Sequence, residues 1–454
     1  MQTPMTAIVK ANKNIPLFAL CLGFFMVIID VMVVNIALHS IGEDLKGSFS
    51  GLQWVVAGYT LTFASLLLSA GYLGDRVGAK PAFLWGLGLF VLTSLGCGLA
   101  PFLWLLVVFR LFQGASAALL VPTSLALINA SYENLEDRAK AIGVWASVGG
   151  IAGAAGPVLG ALLTHYLGWR SIFLINIPVG VAAILLTLKY VASPTAIQQK
   201  TSFDFLGQLL GIISVASLAF GLIEAGNSGW LAPLVLCGFV VCLLSFIAFI
   251  WHERRAIEPM FPLNFFKAKT FSVGIAAGMI LNLGAYGLFF VLPFYFQQVR
   301  HYSVLMTGLA LLPMLGLGVM TSFVSGRLIV ALGPKLPMFL GLSMGALGFF
   351  ALLITGESAP SYLALILPLV AIGVSALTMP AATVAVIRSV ADDRVGVASG
   401  AFNTSRQVGS LLGVAIFGAI INTVTQFVWG MHVCLIIAGC LFLGGCAVIW
   451  GVLD

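Results

Sequence analysis

The ten residues GYLGDRVGAK (71–80) recur in outline as GRLIVALGPK (326–335). The two segments share two glycines, a leucine and a lysine at matching positions, which in the first segment are Gly71, Leu73, Gly78 and Lys80. Each segment joins one long apolar run to the next. Since the same connection between the same kind of run occurs twice, the sequence predicts a fold of two related halves.

The composition identifies the medium in which these runs lie. The chain has 454 residues, of which 61% are hydrophobic and 8% charged, and its mean hydropathy is +1.11. Water-soluble globular proteins do not have such a composition, so the sequence predicts an integral membrane protein. The net charge of +6 comes from basic residues in short connections, where they face anionic lipid headgroups. We therefore expect membrane lipid, and no nucleic acid, as a partner.

Runs long enough to cross a bilayer need about 20 residues. Fourteen runs of this kind predict an all-α protein, since continuously apolar runs do not have the alternation of a membrane β-barrel. The predicted helices lie near 15–40, 52–71, 82–100, 103–128, 141–164, 171–191, 206–225, 231–251, 272–298, 304–331, 337–355, 361–387, 397–424 and 428–452.

The repeat also predicts how these helices are divided. GASAALLVP (114–122) in the fourth helix recurs as GVSALTMP (373–380) in the twelfth, and the segment 71–80 after the second helix recurs after the tenth. An offset of eight helices means that six repeat and two are inserted. We therefore predict a six-helix bundle in 1–192, two inserted helices with connectors in 193–270, and a second six-helix bundle in 271–454. Repeated halves with a site between them are typical of transporters.

The basic residues predict the orientation. All but five of the 21 lysines and arginines fall in connections on one side of the membrane or next to them, and this side is predicted to be cytoplasmic. The exceptions are Lys46, Arg170 and Arg300 on the other side and Arg110 and Arg406 within helices. With an even number of spans, both termini are predicted to lie in the cytoplasm, and the protein in the cytoplasmic (inner) membrane.

Six segments in chain order resemble the motifs of one family. They are DVMVVNIAL from Asp30, GYLGDRVGAK from Gly71, RLFQG from Arg110, GAAGPVLGA from Gly153, WRSIFLINIPVG from Trp169 and ASGAFNTSRQVG from Ala398. The sequence thus resembles the fourteen-span drug:proton antiporter branch of the major facilitator superfamily over essentially its whole length. The resemblance implies two six-helix bundles plus two inserted helices, and proton-coupled multidrug efflux by alternating access.

Asp30 stands in the middle of the first apolar run, where a charge is costly. A central aspartate costs about 2.5–3.5 kcal/mol on insertion scales and is retained mainly where it lines a cavity or has a partner. We expect Asp30 to line a cavity facing Arg110, and to take up a proton on the outer side and release it inside in competition with substrate. Arg110 could instead be a structural charge bonded to backbone carbonyls, and Gln113 could share either role.

Two further motifs carry conformational roles by resemblance. Gly71, Asp75, Arg76, Gly78 and Lys80 correspond to a latch that holds the cytoplasmic face closed, with Asp75 accepting from a helix N-terminus. The alternative is a tight turn with solvated charges. In the fifth helix, Gly153, Gly156, Pro157 and Gly160 correspond to the antiporter motif, and these small residues permit a close helix crossing. The sequence does not separate a gate at this crossing from ordinary tight packing.

Aromatic, amide and arginine side chains within the helices are candidates for the wall of a substrate cavity, although the cluster of Asn403, Arg406 and Gln407 could instead form a hydrogen-bond network between the halves. Aromatic walls suit variable lipophilic ligands and can hold an organic cation. The candidates are Trp54, Tyr59, Gln113, Trp145, Asn282, Tyr286, Phe289, Asn403, Arg406 and Gln407. The tenth helix has no acidic residue, so monovalent lipophilic cations or neutral amphiphiles are favoured over dications.

These observations predict a transporter and not an enzyme. There is no GxxxxGK[ST] segment for ATP hydrolysis, and no catalytic or metal-ligating constellation. We expect no cofactor, with the proton gradient as energy source and small lipophilic or cationic compounds and protons as partners. A periplasmic adaptor would be a further partner in a cell with an outer membrane. The alternatives are a dedicated proton-coupled exporter of one endogenous metabolite or lipid, and a channel or sensor without transport.

Overall fold

The computed structural model describes residues 14–132, 134–193, 204–256, 259–261, 263–356, 361–391 and 394–452. Within these ranges there are helices and connections only, and fourteen helices are long and apolar enough to cross a membrane, which confirms the predicted fold class. We number them α1 to α14 in chain order. Their bounds are Asn14–Asp44, Phe49–Val77, Ala79–Leu99, Leu103–Ser131, Leu135–Leu167, Ser171–Tyr190, Phe205–Ser228, Pro233–Glu253, Lys269–Val299, Val304–Leu332, Lys335–Ile354, Tyr362–Arg388, Val395–Thr423 and Phe427–Val452. The two ends of the chain, to which the predicted cytoplasmic termini belong, lie outside the described residues.

Several helices extend beyond their apolar runs. α1 continues to Asp44, and α5 begins at Leu135, ahead of the charged residues Glu136 and Asp137. The side chain of Asn134 accepts a hydrogen bond from the backbone N–H of Glu136 and caps the start of α5. Because these helix ends project past the hydrocarbon layer, they can contain charged residues, and hydropathy does not predict where the helices end.

The connection between α2 and α3 is shorter than the sequence predicted. Residues 71–77 continue α2, and only Gly78 separates it from α3. Gly78 has a φ of +97°, a conformation that side-chain-bearing residues rarely adopt. The segment predicted as a loop is therefore a helix end followed by a one-residue turn, and Gly333, with a φ of +73°, makes the matching turn in the second half.

α6 is interrupted near its start. A short piece, Ser171–Leu174, is followed by Ile175 and then by Asn176–Tyr190. Pro178 has no N–H to bond to the carbonyl of the preceding turn, which accounts for a break at this position. The break leaves Asn176 pointing into the first half, where the residue is 2% exposed.

The repeat recurs in the packing. The pairs α1–α5, α2–α4 and α3–α6 in the first half correspond to α9–α13, α10–α12 and α11–α14 in the second. The halves meet where α2 packs on α13 and α5 on α10. The inserted helices α7 and α8 pack on each other, and α7 contacts both α2 and α13. α8 exposes apolar side chains such as Leu244 and Ile247 on its outer face, as expected of a surface in lipid.

Candidate functional site

Asp30 lies at the centre of a buried polar network in the first half. Its carboxylate accepts hydrogen bonds from Arg110 Nη1, from Gln113 Nε2 at 3.0 Å and from Asn176 Nδ2 at 3.1 Å. Asp30 and Gln113 are fully buried, and Arg110 and Asn176 nearly so. Donors from α4 and α6 thus surround one carboxylate on α1, and the Arg110 cation balances its charge.

Arg110 also has contacts to the backbone and to rings. Its Nε donates to the carbonyl of Val55 on α2 at 3.0 Å, and its guanidinium lies over the ring of Tyr59, 4.3 Å from the centroid. The sequence had offered a partner for Asp30 and a backbone-bonded structural charge as alternatives for Arg110. The guanidinium makes both kinds of contact at once.

Two members of the network were missed in the sequence. Asn176 lies in the quoted segment WRSIFLINIPVG but was not singled out, and Ser94 on α3 lay in a run without distinctive features. The hydroxyl of Ser94 accepts from Gln113 Nε2 at 2.8 Å and from Asn176 Nδ2 at 3.3 Å. An amide in a membrane helix two residues before a proline was the signal that could have identified Asn176.

Asp30 does not line the cavity that the sequence led us to expect. Phe24 and Ile28 on the same helix do line it, whereas Asp30 faces the interior of the first half. Residues two apart on an α-helix point about 200° apart, so Ile28 and Asp30 face opposite sides of α1. A substrate in the cavity cannot touch the carboxylate in this conformation.

The cavity has a volume of about 1530 Å³ and lies between the two halves. It extends to the end of the bundle where α2 and α8 finish and α7 and α13 begin, and Asp75, Arg254 and Arg394 line its mouth. We call this the basic end, since most basic residues of the connections lie there. Four predicted cavity residues line the cavity, namely Trp145, Asn403, Arg406 and Gln407. The ring of Trp145 stacks on Phe24 at 3.8 Å.

The other six predicted cavity residues lie elsewhere in this conformation. They are Trp54, Tyr59, Gln113, Asn282, Tyr286 and Phe289. Gln113 belongs to the Asp30 network and Tyr59 lies beneath Arg110. Trp54, Tyr286 and Phe289 pack with the apolar core, and Asn282 donates to the carbonyl of Gly278 within α9. These helices are apolar on all sides, so the sequence does not indicate which side chains face the cavity.

The halves are closed together at the opposite end. Gln53 Nε2 on α2 lies 3.3 Å from the carbonyls of Val414 and Ala415 on α13, and Gln297 donates to the carbonyl of Ile36 on α1. α10 packs on α5 at Gly308, where a Cβ would lie 2.7 Å from the carbonyl oxygen of Pro157. The cavity is therefore open at the basic end and sealed at the other.

The predicted glycines of α5 differ in their surroundings. A Cβ at Gly156 would lie 2.4 Å from Met32 Cβ, and one at Gly160 would lie 2.8 Å from Val33 Cα. A Cβ at Gly153 would meet nothing within 4 Å. Gly156, Gly160 and the carbonyl of Pro157 thus form close crossings with α1 and α10, and Gly153 does not.

The predicted latch residues lie at the basic end. Asp75 and Arg76 are exposed, and no hydrogen bond or ion pair of either is found among the described residues. Gly71 lines the cavity near its mouth, and Gly78 forms the turn. Lys80 donates to the carbonyls of Leu188 and Val191 at the end of α6, where a cation is favourable.

Within the described ranges, no group of three or more His, Cys, Asp or Glu side chains could hold a metal ion.

Comparisons with known proteins agree with this architecture. The family model described as Major Facilitator Superfamily matches residues 20–414. The chain is 34% identical to the "Methylenomycin A resistance protein" of Bacillus subtilis (strain 168), over 96% of this chain and 93% of that protein. It is 35% identical to the "Multidrug resistance protein Stp" of Mycobacterium tuberculosis (strain CDC 1551 / Oshkosh), over 90% of this chain and 76% of that protein.

Solved structures show the same fold. The inward open conformation of the xylose transporter XylE from E. coli superposes with a TM-score of 0.68, at 13% identity, over 98% of this chain and 97% of that one. The fourteen helices, the recurring helix pairs and these matches lead to one conclusion. The chain belongs to the major facilitator superfamily and is a multi-pass membrane transporter, not an enzyme.

Proposed function

We propose that this transporter exports small lipophilic compounds across the cytoplasmic membrane by alternating access, in exchange for protons. The names of its relatives, which include drug efflux and drug resistance proteins, support export of drug-like compounds. The observation that carries the proton coupling is the buried carboxylate of Asp30, the central member of a charged network inside a membrane-spanning bundle. Intramembrane carboxylates of this kind serve proton relays in transporters.

In this proposal the basic end faces the cytoplasm, as does each terminus of the chain. The excess of basic residues in the connections at this end supports the orientation. The cavity then opens inward, where it can take substrate from the cytoplasm or the inner leaflet. We propose that 1–192 and 271–454 move against each other and that 193–270 lies beside them.

α1 is the element through which a proton would act. Within ten residues it contributes Phe24 and Ile28 to the cavity, Asp30 to the network, and Met32 and Val33 to the crossing with α5. Protonation of Asp30 would remove the charge that holds Arg110, and α1 would then be free to shift at both the cavity and the crossing with α5. Substrate and proton would thus favour opposite-facing states without touching each other, which is sufficient for coupling.

The test is substrate-induced proton release from inverted membrane vesicles that contain wild-type protein or Asp30→Asn. Asp44→Asn is the matched control, because Asp44 lies on the same helix but is half exposed at its outer end. We expect several unrelated lipophilic compounds to release protons with wild type and Asp44→Asn but not with Asp30→Asn. Unchanged proton-coupled export by Asp30→Asn would contradict the proposal. A response to one compound only would favour the dedicated metabolite exporter.

A further inference from the structure

The second arginine within a helix, Arg406, lies deep in the cavity. It is eleven residues beyond Val395, the first residue of α13 at the basic end, so it lies about 17 Å into the bundle at 1.5 Å per residue. Its side chain is partly exposed, and it lines the cavity with its neighbours Asn403 and Gln407. The guanidinium of Arg406 can therefore contact a ligand that enters the cavity.

Arg406 differs from Arg110 in its partners. Arg110 is paired with Asp30, whereas no described carboxylate forms an ion pair with Arg406. The guanidinium of Arg406 donates from Nη1 to Asn403 Oδ1 at 3.0 Å, and its Nε is buried without a hydrogen-bond partner. The carboxylate of Asp30 therefore neutralises Arg110 in the first half, whereas no described carboxylate neutralises Arg406 in the second half.

The acidic residues of the cavity are too far towards the mouth to balance Arg406. Asp75 lies two residues before the end of α2, Asp204 precedes α7, and Glu253 is the last residue of α8. Asp204 bonds to His252 at 2.7 Å, and Glu253 accepts from the backbone of Phe261. Among the described residues, the deep part of the cavity therefore carries positive charge only.

On the side of the first half, the wall of the cavity is mostly apolar. Phe24 and Trp145 stack on each other, and Ile28, Phe63 and Leu67 line the cavity with them. A lipophilic or aromatic body can lie against these side chains. The wall chemistry favours a ligand with an apolar body and one polar group near α13.

From these contacts we infer that the transported compounds carry an anionic group, such as a carboxylate, that binds Arg406. A guanidinium without a counter-ion attracts an anionic group, and it presents paired donors that match a carboxylate. The inference rests on the proposed export function and names its substrate class. It differs from the sequence-based expectation of monovalent lipophilic cations or neutral amphiphiles, because a guanidinium without a counter-ion repels cations and attracts anions.

The test compares three probes of nearly one shape that differ in charge: 4-phenylbutyrate, 4-phenylbutanamide and 4-phenylbutylamine. Their binding to the purified full chain in maltoside micelles is measured by equilibrium dialysis at neutral pH, without a proton gradient. The proteins are wild type, Arg406→Gln, Arg406→Lys and Arg254→Gln. Arg254→Gln is the matched control, since it removes the same charge from the exposed mouth of the same cavity.

We expect wild type and Arg254→Gln to bind the carboxylate at least tenfold more tightly than the amide or the amine. Arg406→Gln should lose this preference for the carboxylate, and Arg406→Lys should keep part of it. The affinity of Arg406→Gln for the amide should be unchanged, which would show that its cavity is intact. Equal binding of the three probes by wild type, no binding of any of them, or a preference that survives in Arg406→Gln would overturn the inference. The comparison of the three probes on wild-type protein tests the inference even if Arg406→Gln does not fold. Because the binding measurement uses no proton gradient, its outcome does not depend on whether Asp30→Asn abolishes proton coupling. The inference and the proposed function can therefore fail separately.

Discussion

Arg110 on α4 and Asp30 on α1 form an ion pair in which neither side chain is more than 1% exposed. Another ion pair of the first half, Arg170 with Asp44, has side chains that are 41% and 48% exposed. Burial makes the first pair far more sensitive to loss of one partner, since the remaining charge cannot be solvated. The two pairs therefore provide a matched comparison within the same bundle.

Arg110→Met should strongly destabilise the protein. It leaves the Asp30 carboxylate buried without its cation, which costs about 3–5 kcal/mol, whereas Arg170→Met should cost less than about 1 kcal/mol. The double variant Asp30→Asn/Arg110→Met should recover part of the loss, because no buried charge remains unpaired. The free energy of unfolding in mixed micelles measures all three. Equal losses for the two single variants would mean that the buried pair does not hold α1 to α4.

Gly160→Ala should destabilise the crossing of α5 with α1. The new Cβ would lie 2.8 Å from Val33 Cα, and because this neighbour is backbone, the helices must separate. Overpacking of this kind costs about 1–3 kcal/mol. Gly153→Ala is the control, with nothing within 4 Å of its Cβ, and should be neutral or slightly stabilising. Thermal unfolding of both variants measures the difference. A loss in Gly153→Ala as large as that in Gly160→Ala would contradict the close crossing.

The number of helices could be predicted because every span contains an apolar stretch, with few charged residues, that is long enough to cross a bilayer. Their ends could not, since residues such as Asp44 and Glu136 extend a helix into water, where charge carries no penalty. The length of the connection between α2 and α3 was overestimated for the same reason. Asp75 and Arg76 are charged, yet they lie in the last turn of α2. Charge that follows an apolar run thus marks where the bilayer ends and not where the helix ends.

The site was predictable only in part. Asp30, Arg110 and Gln113 stood out because a charged or amide side chain within an apolar run needs a partner. Ser94 did not, because a hydroxyl in a membrane helix can bond to its own backbone and needs none. The direction of each side chain was also hidden, since Ile28 and Asp30 lie two residues apart in an apolar helix and face opposite sides. Only the packing of α1 against its neighbours identifies the cavity face.

Gln53→Met should favour the state that is open at the sealed end. Gln53 joins α2 to α13 through two backbone carbonyls, and each hydrogen bond contributes about 1 kcal/mol. Their loss should shift the equilibrium between the two states by about tenfold or more. The reporter is Thr307→Cys in a cysteine-free background, since Thr307 is fully buried at this end. Its labelling by an impermeant maleimide from the side of the sealed end should rise severalfold.

The control for this shift is Gln298→Met. Gln298 is an exposed amide at the same end, 3.5 Å from His39, and its removal should leave labelling unchanged. Similar increases in both variants would mean that the contacts of Gln53 do not hold the seal.

Asp75→Asn should hinder closure at the basic end without weakening the present state. No described group bonds to Asp75 here, and it lines the mouth together with Val395 and Gly396 at the start of α13. Closure would bring its carboxylate towards the positive end of α13, an interaction of about 0.3–1 kcal/mol that asparagine largely loses. Asn129→Cys in the cavity should therefore be labelled faster from the side of the basic end in Asp75→Asn, with unchanged thermal stability. Asp137→Asn, an exposed carboxylate on α5 away from the mouth, should leave labelling as in wild type. If both variants label alike, Asp75 is a solvated charge at a tight turn and not a latch.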